Sequence, residues 1–219
     1  MSSANAIMDY TIWRSEVFGQ TEGSDPVTLD NSTEFNQLSP DSHLDFIVRA
    51  MDDSTIHSEF SAEQIGIGIE LIFNNSCSNI PFAYLQPGDD VKRVAAIEAI
   101  GQLYRNYFDR YCNEPVERIG YSFSGHLGYI CYMFWDIFVV KPHQADATDR
   151  MIEESVRVMK CALGCNEQCQ VSALHGLGHW VSRSDRAKEI LDEFIDSARA
   201  KANPVIRAYA AQAKTGHIQ

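Results

Sequence analysis

The stretch CALGCNEQCQVSALHGLGHW, Cys161–Trp180, decides how this chain is read. Cysteines recur every four residues at Cys161, Cys165 and Cys169, and His175 and His179 share that step. Gly164 and Asn166 divide the segment. Glycine is the usual residue just past a helix C-terminus, and asparagine is a preferred N-cap. A helix therefore ends near Gly164 and another starts at Asn166. Wound at about 100° per residue, the second helix puts Gln170, Ala173, Leu174, Leu177, Trp180 and Val181 on one broad stripe. His175 and His179 fall on the other side, near Ser172 and Arg183, and are expected to face solvent.

Working outward, the pattern stays helical. A short helix is expected over Ser42–Met51, with Leu44, Ile47 and Val48 on one side. SAEQIGIGIELIFNN opens with Ser61 and Gln64 in capping-box spacing. DDVKRVAAIEAIGQLYRNYFDRY has Asp89 and Asp90 in its first turn and Arg110 in its last, agreeing with the helix dipole. GYICYMFWDIFVV (Gly128–Val140) is a run of thirteen mostly apolar residues carrying Asp136. A membrane span needs roughly 20, so a buried helix is predicted and no membrane crossing. Further helices are read in ATDRMIEESVRVMKCAL, in SDRAKEILDEFIDSARAKA and, from Asn203-Pro204 on, in PVIRAYAAQAKTG. The first 40 or so residues are rich in turn formers. There TIWRSEVFG and PVTLD read as short strands.

AAIEAIGQL (Ala95–Leu103) aligns with SALHGLGHW (Ser172–Trp180) at an offset of 77, and RAYAAQAKT (Arg207–Thr215) aligns with the same segment at an offset of 35. Each alternates small and large residues at helical spacing, which lets neighbouring helices approach closely. Such steps match paired-helix repeats. On the motifs VAAIEAIGQL and VSALHGLGHW the chain resembles HEAT-like α-solenoids, and with the downstream RAYA segment it is similar to a group of bacterial HEAT-like proteins. The resemblance covers roughly residues 60–216. It implies a mainly α fold, a short right-handed α-α superhelix of HEAT or armadillo type with four or five helix pairs. The two motifs would be the second helix of a repeat, lining a concave partner-binding surface. The organisation expected is an irregular acidic extension over residues 1–42 followed by a helical-repeat domain over 43–219.

The chain of 219 residues carries a net charge of −12, with 45% apolar and 22% charged residues. Residues 1–63 hold twelve Asp or Glu against Arg14 and Arg49, a net of −10, and the rest is close to balanced. Such a field repels phosphate backbones, disfavouring nucleic acid, and speeds encounter with a basic partner. The N-terminus has neither the basic nor the apolar region of a signal peptide. Six cysteines without an export signal are expected as reduced thiols in the cytoplasm.

Cys161, Cys165, Cys169, His175 and His179 have permissible spacing for zinc. Against that reading, the break at Gly164–Asn166 stops the cysteines lining one helical face, and the chain has no CxxC. HGLGH carries Gly176 where the hydrolytic HExxH motif needs glutamate, and GYSFSGH (Gly120–His126) does not match GxSxG. No metal and no cofactor is therefore assigned. Asp136 is surrounded by apolar neighbours, and a buried carboxylate needs partners. With His126 and Tyr129 on the same helix it marks a candidate pocket. Tyr104, Arg105, Tyr107 and Arg110 form an aromatic and arginine-rich helix end, of the type enriched at interfaces. Packing of Tyr104, Phe108 and Tyr111 on a neighbouring helix is the plainer alternative.

These observations favour a non-catalytic protein–protein interaction module, for example an immunity or regulatory protein that binds a basic partner. Its candidate binding surface is His175, His179, Arg183, Tyr104, Arg105, Tyr107 and Arg110. The competing expectation is a metal-dependent or small-molecule enzyme using His126, Asp136, His175 and His179.

Overall fold

Local sequence signals start most of the helices. Ser61 and Gln64 form the capping box reciprocally at the head of one helix. Asp9, Ser39, Thr148, Asn166 and Ser184 each accept a backbone N–H at the head of others. The computed structural model describes residues 8–23, 38–120, 123 and 125–218, and among these it is helical with no strand. The principal helices are α1 (Tyr10–Phe18), α2 (Pro40–Asp52), α4 (Ala62–Phe73), α5 (Asp90–Leu103), α7 (Gly125–Ile137), α8 (Asp149–Ala162), α9 (Glu167–Trp180), α10 (Asp185–Ile195) and α12 (Pro204–Lys214). Short helices α3 (Ile56–Glu59), α6 (Asp109–Tyr111) and α11 (Ala198–Ala202) join or extend them. No helix among the described residues is long and apolar enough to cross a membrane.

The principal helices form two layers. Helices α1, α4, α7, α9 and α12 pack side by side in that order, and α2, α5, α8 and α10 form a second row. Each successive principal helix changes layer. The aromatic core lies where α4 and α7 meet the segment Tyr104–Phe108, around Phe134, whose ring touches Phe73, Tyr104, Phe108, Trp135 and Phe138.

Three expectations are corrected here. TIWRSEVFG is helical, because Trp13, Val17 and Phe18 recur at helical spacing and bury against the core; PVTLD lies outside the described residues. The extension before residue 43 therefore contributes α1 to the first layer. The echo at offset 77 relates helices of opposite layers, since α5 stacks with α2 and α8 while α9 stacks with α7 and α12. The pattern marks helices that are closely approached, without naming the neighbour. Finally, Tyr104 and Tyr107 are not surface residues. Between α5 and α6, Tyr104–Phe108 winds as a π-helix, whose wider turn brings Tyr104, Tyr107 and Phe108 all inward. The Tyr104 hydroxyl bonds Ser172 Oγ at 2.7 Å, and that of Tyr107 donates to the Ala50 carbonyl at 2.8 Å. Arg105 and Arg110 stay exposed.

Candidate functional site

Helix α9 is buried almost all round because α7, α8, α10 and α12 surround it. Its two glycines set those distances. A Cβ on Gly176 would lie 2.5 Å from the Trp135 ring of α7 and 3.0 Å from Met159 Sδ of α8. One on Gly178 would meet Ile218 at 2.9 Å and the Ala213 Cα of α12 at 3.3 Å. With Trp135 seated on Gly176, the next residue of α7 reaches the histidine pair.

Asp136 Oδ2 lies 2.8 Å from His175 Nε2, Asp136 Oδ1 lies 2.8 Å from His179 Nε2, and the two Nε2 atoms are 3.1 Å apart. Burial disfavours the Asp136 carboxylate, but hydrogen bonds from His175 and His179 outweigh it and hold its carboxyl well below the usual range. On the far side of His175, Nδ1 is 2.6 Å from the Tyr209 hydroxyl of α12. Tyr209 in turn shares a hydrogen bond with Tyr132 of α7. The chain Asp136–His175–Tyr209–Tyr132 thus stitches three neighbouring helices of one layer. Two imidazole nitrogens and a carboxylate are a donor set that divalent transition ions accept.

His175 is therefore not solvent-facing. It is 3% exposed, covered by Tyr132 and Tyr209, while the His179 side chain is 41% exposed. The helical wheel separates both from the core stripe, but neighbours in the same layer bury the first. A cavity of about 380 Å³ opens beside the cluster, lined by Trp135, Asp136, Lys141, Pro142, His143, His179 and Trp180. Lys141 Nζ donates to the carbonyls of Trp135 and Asp136 at 2.6 and 2.8 Å, closing the C-terminal end of α7.

The pocket expected from Asp136, His126 and Tyr129 is divided. Tyr129 is exposed, its ring edge-on to Phe123. His126 turns to α4, where Nε2 is 2.9 Å from Glu70 Oε2. Asn74 also donates to Glu70, at 3.1 Å. The Glu70 hydrogen bond raises the His126 pKa against the opposing effect of burial. Burial disfavours the Glu70 carboxylate, but bonds from His126 and Asn74 more than compensate and lower its pKa. A raised histidine contributes stability that is full below its unfolded value and lost as pH rises through the folded one. A lowered carboxyl contributes above its unfolded value and loses that contribution as pH falls through its folded one. The pair therefore stabilises most between about pH 4.5 and about pH 6.5. Glu70→Gln is expected to flatten the fall in melting temperature between about pH 6 and about pH 8, a contribution of about 1 kcal/mol or less. Identical pH profiles for the variant and the parent would contradict this.

The remaining candidates are dispersed. Arg183 lines a groove of about 540 Å³ between α8 and α10, and Arg105 and Arg110 line another of about 330 Å³ with Asp52 and Asp53. All six cysteines are free thiols. Cys161 is exposed and apart, whereas the ligand atoms of Cys165, Cys169 and Asp109 lie within 4.8 Å of one another. Cys169, three residues past its Asn166 N-cap, is hydrogen-bonded with Cys131 and Cys165, which lower its pKa.

Fold and site together define a two-layer helical protein with a histidine–carboxylate cluster within one layer. No family model, curated protein or solved structure matches the chain.

Proposed function

We propose that this protein is a non-catalytic interaction module of HEAT-like α-solenoid type, acting in the cytoplasm on a basic protein partner. The alternation of successive principal helices between two layers carries this reading. Stacked helix pairs of that kind offer long surfaces for partners. The acidic first third supports the choice of a basic one, and Glu16, Glu22 and Asp52 are exposed there. An immunity or regulatory role, holding a basic protein inactive, suits that chemistry. With a partner co-purified from the host, raising salt from about 50 to about 200 mM should weaken binding. Neutralising Glu16, Glu22 and Asp52 together should weaken it about 10-fold. Affinity indifferent to both changes would sink the reading.

A second reading is favoured by one specific observation. Asp136, His175 and His179 converge beside the cavity that Lys141 and His143 line. This suits a metal-dependent or small-molecule enzyme whose ligand sits in that cavity. His126 takes no part, since it is committed to Glu70.

A further inference from the structure

We propose that Asp136, His175 and His179 bind one divalent transition-metal ion of the Zn²⁺ class between α7 and α9. This deepens the second reading above and holds whether or not the site is catalytic.

The separations match a coordination sphere. Metal–nitrogen and metal–oxygen bonds of about 2.0–2.2 Å put cis ligands about 2.9 Å apart around an octahedral ion and about 3.4 Å apart around a tetrahedral one. The two Nε2 atoms are 3.1 Å apart, and each stands 2.8 Å from a different oxygen of Asp136, so the imidazole pair has the spacing of cis ligands with the carboxylate facing both. The tetrahedral case needs an outward shift of the half-exposed His179 ring and a turn of the Asp136 carboxylate away from His175. His175 and His179 are four apart on one helix, so both rings leave the same face. Asp136 enters from the neighbouring helix at a height fixed by Trp135 on Gly176.

The surroundings suit a ligand role. An imidazole that binds metal through Nε2 keeps its proton on Nδ1, and an acceptor there fixes ring and tautomer. Tyr209 Oη stands 2.6 Å from His175 Nδ1, so a hydroxyl oxygen able to accept that proton is already in place. The buried side is thus rigid. The His179 side is open, leaving positions for water or a ligand from the cavity.

The donor set is borderline in hardness, with no thiolate, which selects Zn²⁺ and its first-row neighbours over Mg²⁺ or Ca²⁺. A competing soft site exists at Cys165, Cys169 and Asp109, and the experiment must separate the two. Metal-stripped full-length protein is titrated with ZnCl₂ by calorimetry, and with CoCl₂ by absorption. One equivalent of Zn²⁺ is expected to bind saturably. His179→Ala and Asp136→Ala should each weaken it at least about 100-fold, and Tyr209→Phe about 10-fold, as for the loss of a supporting hydrogen bond. A Cys165→Ser/Cys169→Ser double variant should bind as the parent does. Co²⁺ should give visible ligand-field bands without the near-ultraviolet thiolate transition.

The proposal falls if no saturable binding is seen, or if His179→Ala binds Zn²⁺ as tightly as the parent. It also falls if binding is lost in the cysteine variant with a thiolate band present. His179 is exposed, so its variant should keep the parent's helical circular dichroism and decides the matter even if Asp136→Ala does not fold. Stoichiometric Zn²⁺ without turnover of any substrate would remove the catalytic reading and leave the metal site intact.

Discussion

Phe134→Ala is expected to destabilise the protein by about 3–5 kcal/mol, the cost of emptying a core phenylalanine position. Phe134 is fully buried on α7 and lies edge-on to Phe73, Tyr104, Phe108 and Trp135, at centroid distances of 5.1, 5.9, 5.9 and 5.2 Å. It also stacks on Phe138 at 5.8 Å. Those rings come from α4, the π segment, α7 and the turn beyond it, so no single helix can shift to close the gap. The loss joins apolar transfer, an unrelaxed cavity and edge-to-face contacts worth about 0.5–1.5 kcal/mol each. Urea unfolding, with midpoint and slope compared, is the measurement. Tyr129→Ala on the exposed side of the same helix is the control, with an expected change of about 0.5 kcal/mol or less. Equal midpoints for the two variants would show that the rings do not form the core described.

Which parts of this molecule could be read in its sequence follows from the range of the interactions. Helix starts were legible because caps are local: Ser61 with Gln64, Asn166 with Cys169 N, and Asn203 before Pro204 all lie within one turn. The helix at Tyr10–Phe18 was obscured by β-branched Thr11, Ile12 and Val17, which favour strands when context is ignored. Packing of Tyr104 and Phe108 follows from their helical spacing, but the π segment after Leu103 carries no comparable local signal, so the inward turn of Tyr107 is not legible in the sequence.

Layer membership was hidden for a different reason. Small residues in α5 and α9 report that something approaches closely, not which helix does. For Asp136 the desolvation argument correctly demanded a partner, but could not choose between His126, ten residues earlier, and the pair on α9. The helical wheel likewise gave the direction of His175 without its burial. Tyr132 and Tyr209, which cover it, sit on helices that only the tertiary fold brings alongside.

Gly176→Ala should destabilise the protein by about 1–3 kcal/mol net, although alanine gains about 1 kcal/mol over glycine in a helix interior. The added Cβ would stand 2.5 and 2.6 Å from two atoms of the Trp135 ring. Phe134 and Phe138 meet that ring edge-on at 5.2 and 5.9 Å, blocking its retreat. Met159, 3.0 Å away, can give because its thioether end is flexible. Helix α7 must therefore move off α9, taking Asp136 with it. Zn²⁺ affinity should fall about 10-fold, as for a mispositioned ligand, even under conditions where the variant is fully folded. Gly178→Ala is the matched control. Its Cβ meets the movable Ile218 side chain at 2.9 Å and the Ala213 backbone only at 3.3 Å, on the α12 side of the helix. It should cost less than Gly176→Ala and leave Zn²⁺ binding close to that of the parent. Thermal melts and calorimetry on both variants decide this, and the argument fails if Gly178→Ala is the more damaging. The glycine that bars HGLGH from the hydrolase motif then has a positive role: it brings the carboxylate of α7 to the two histidines.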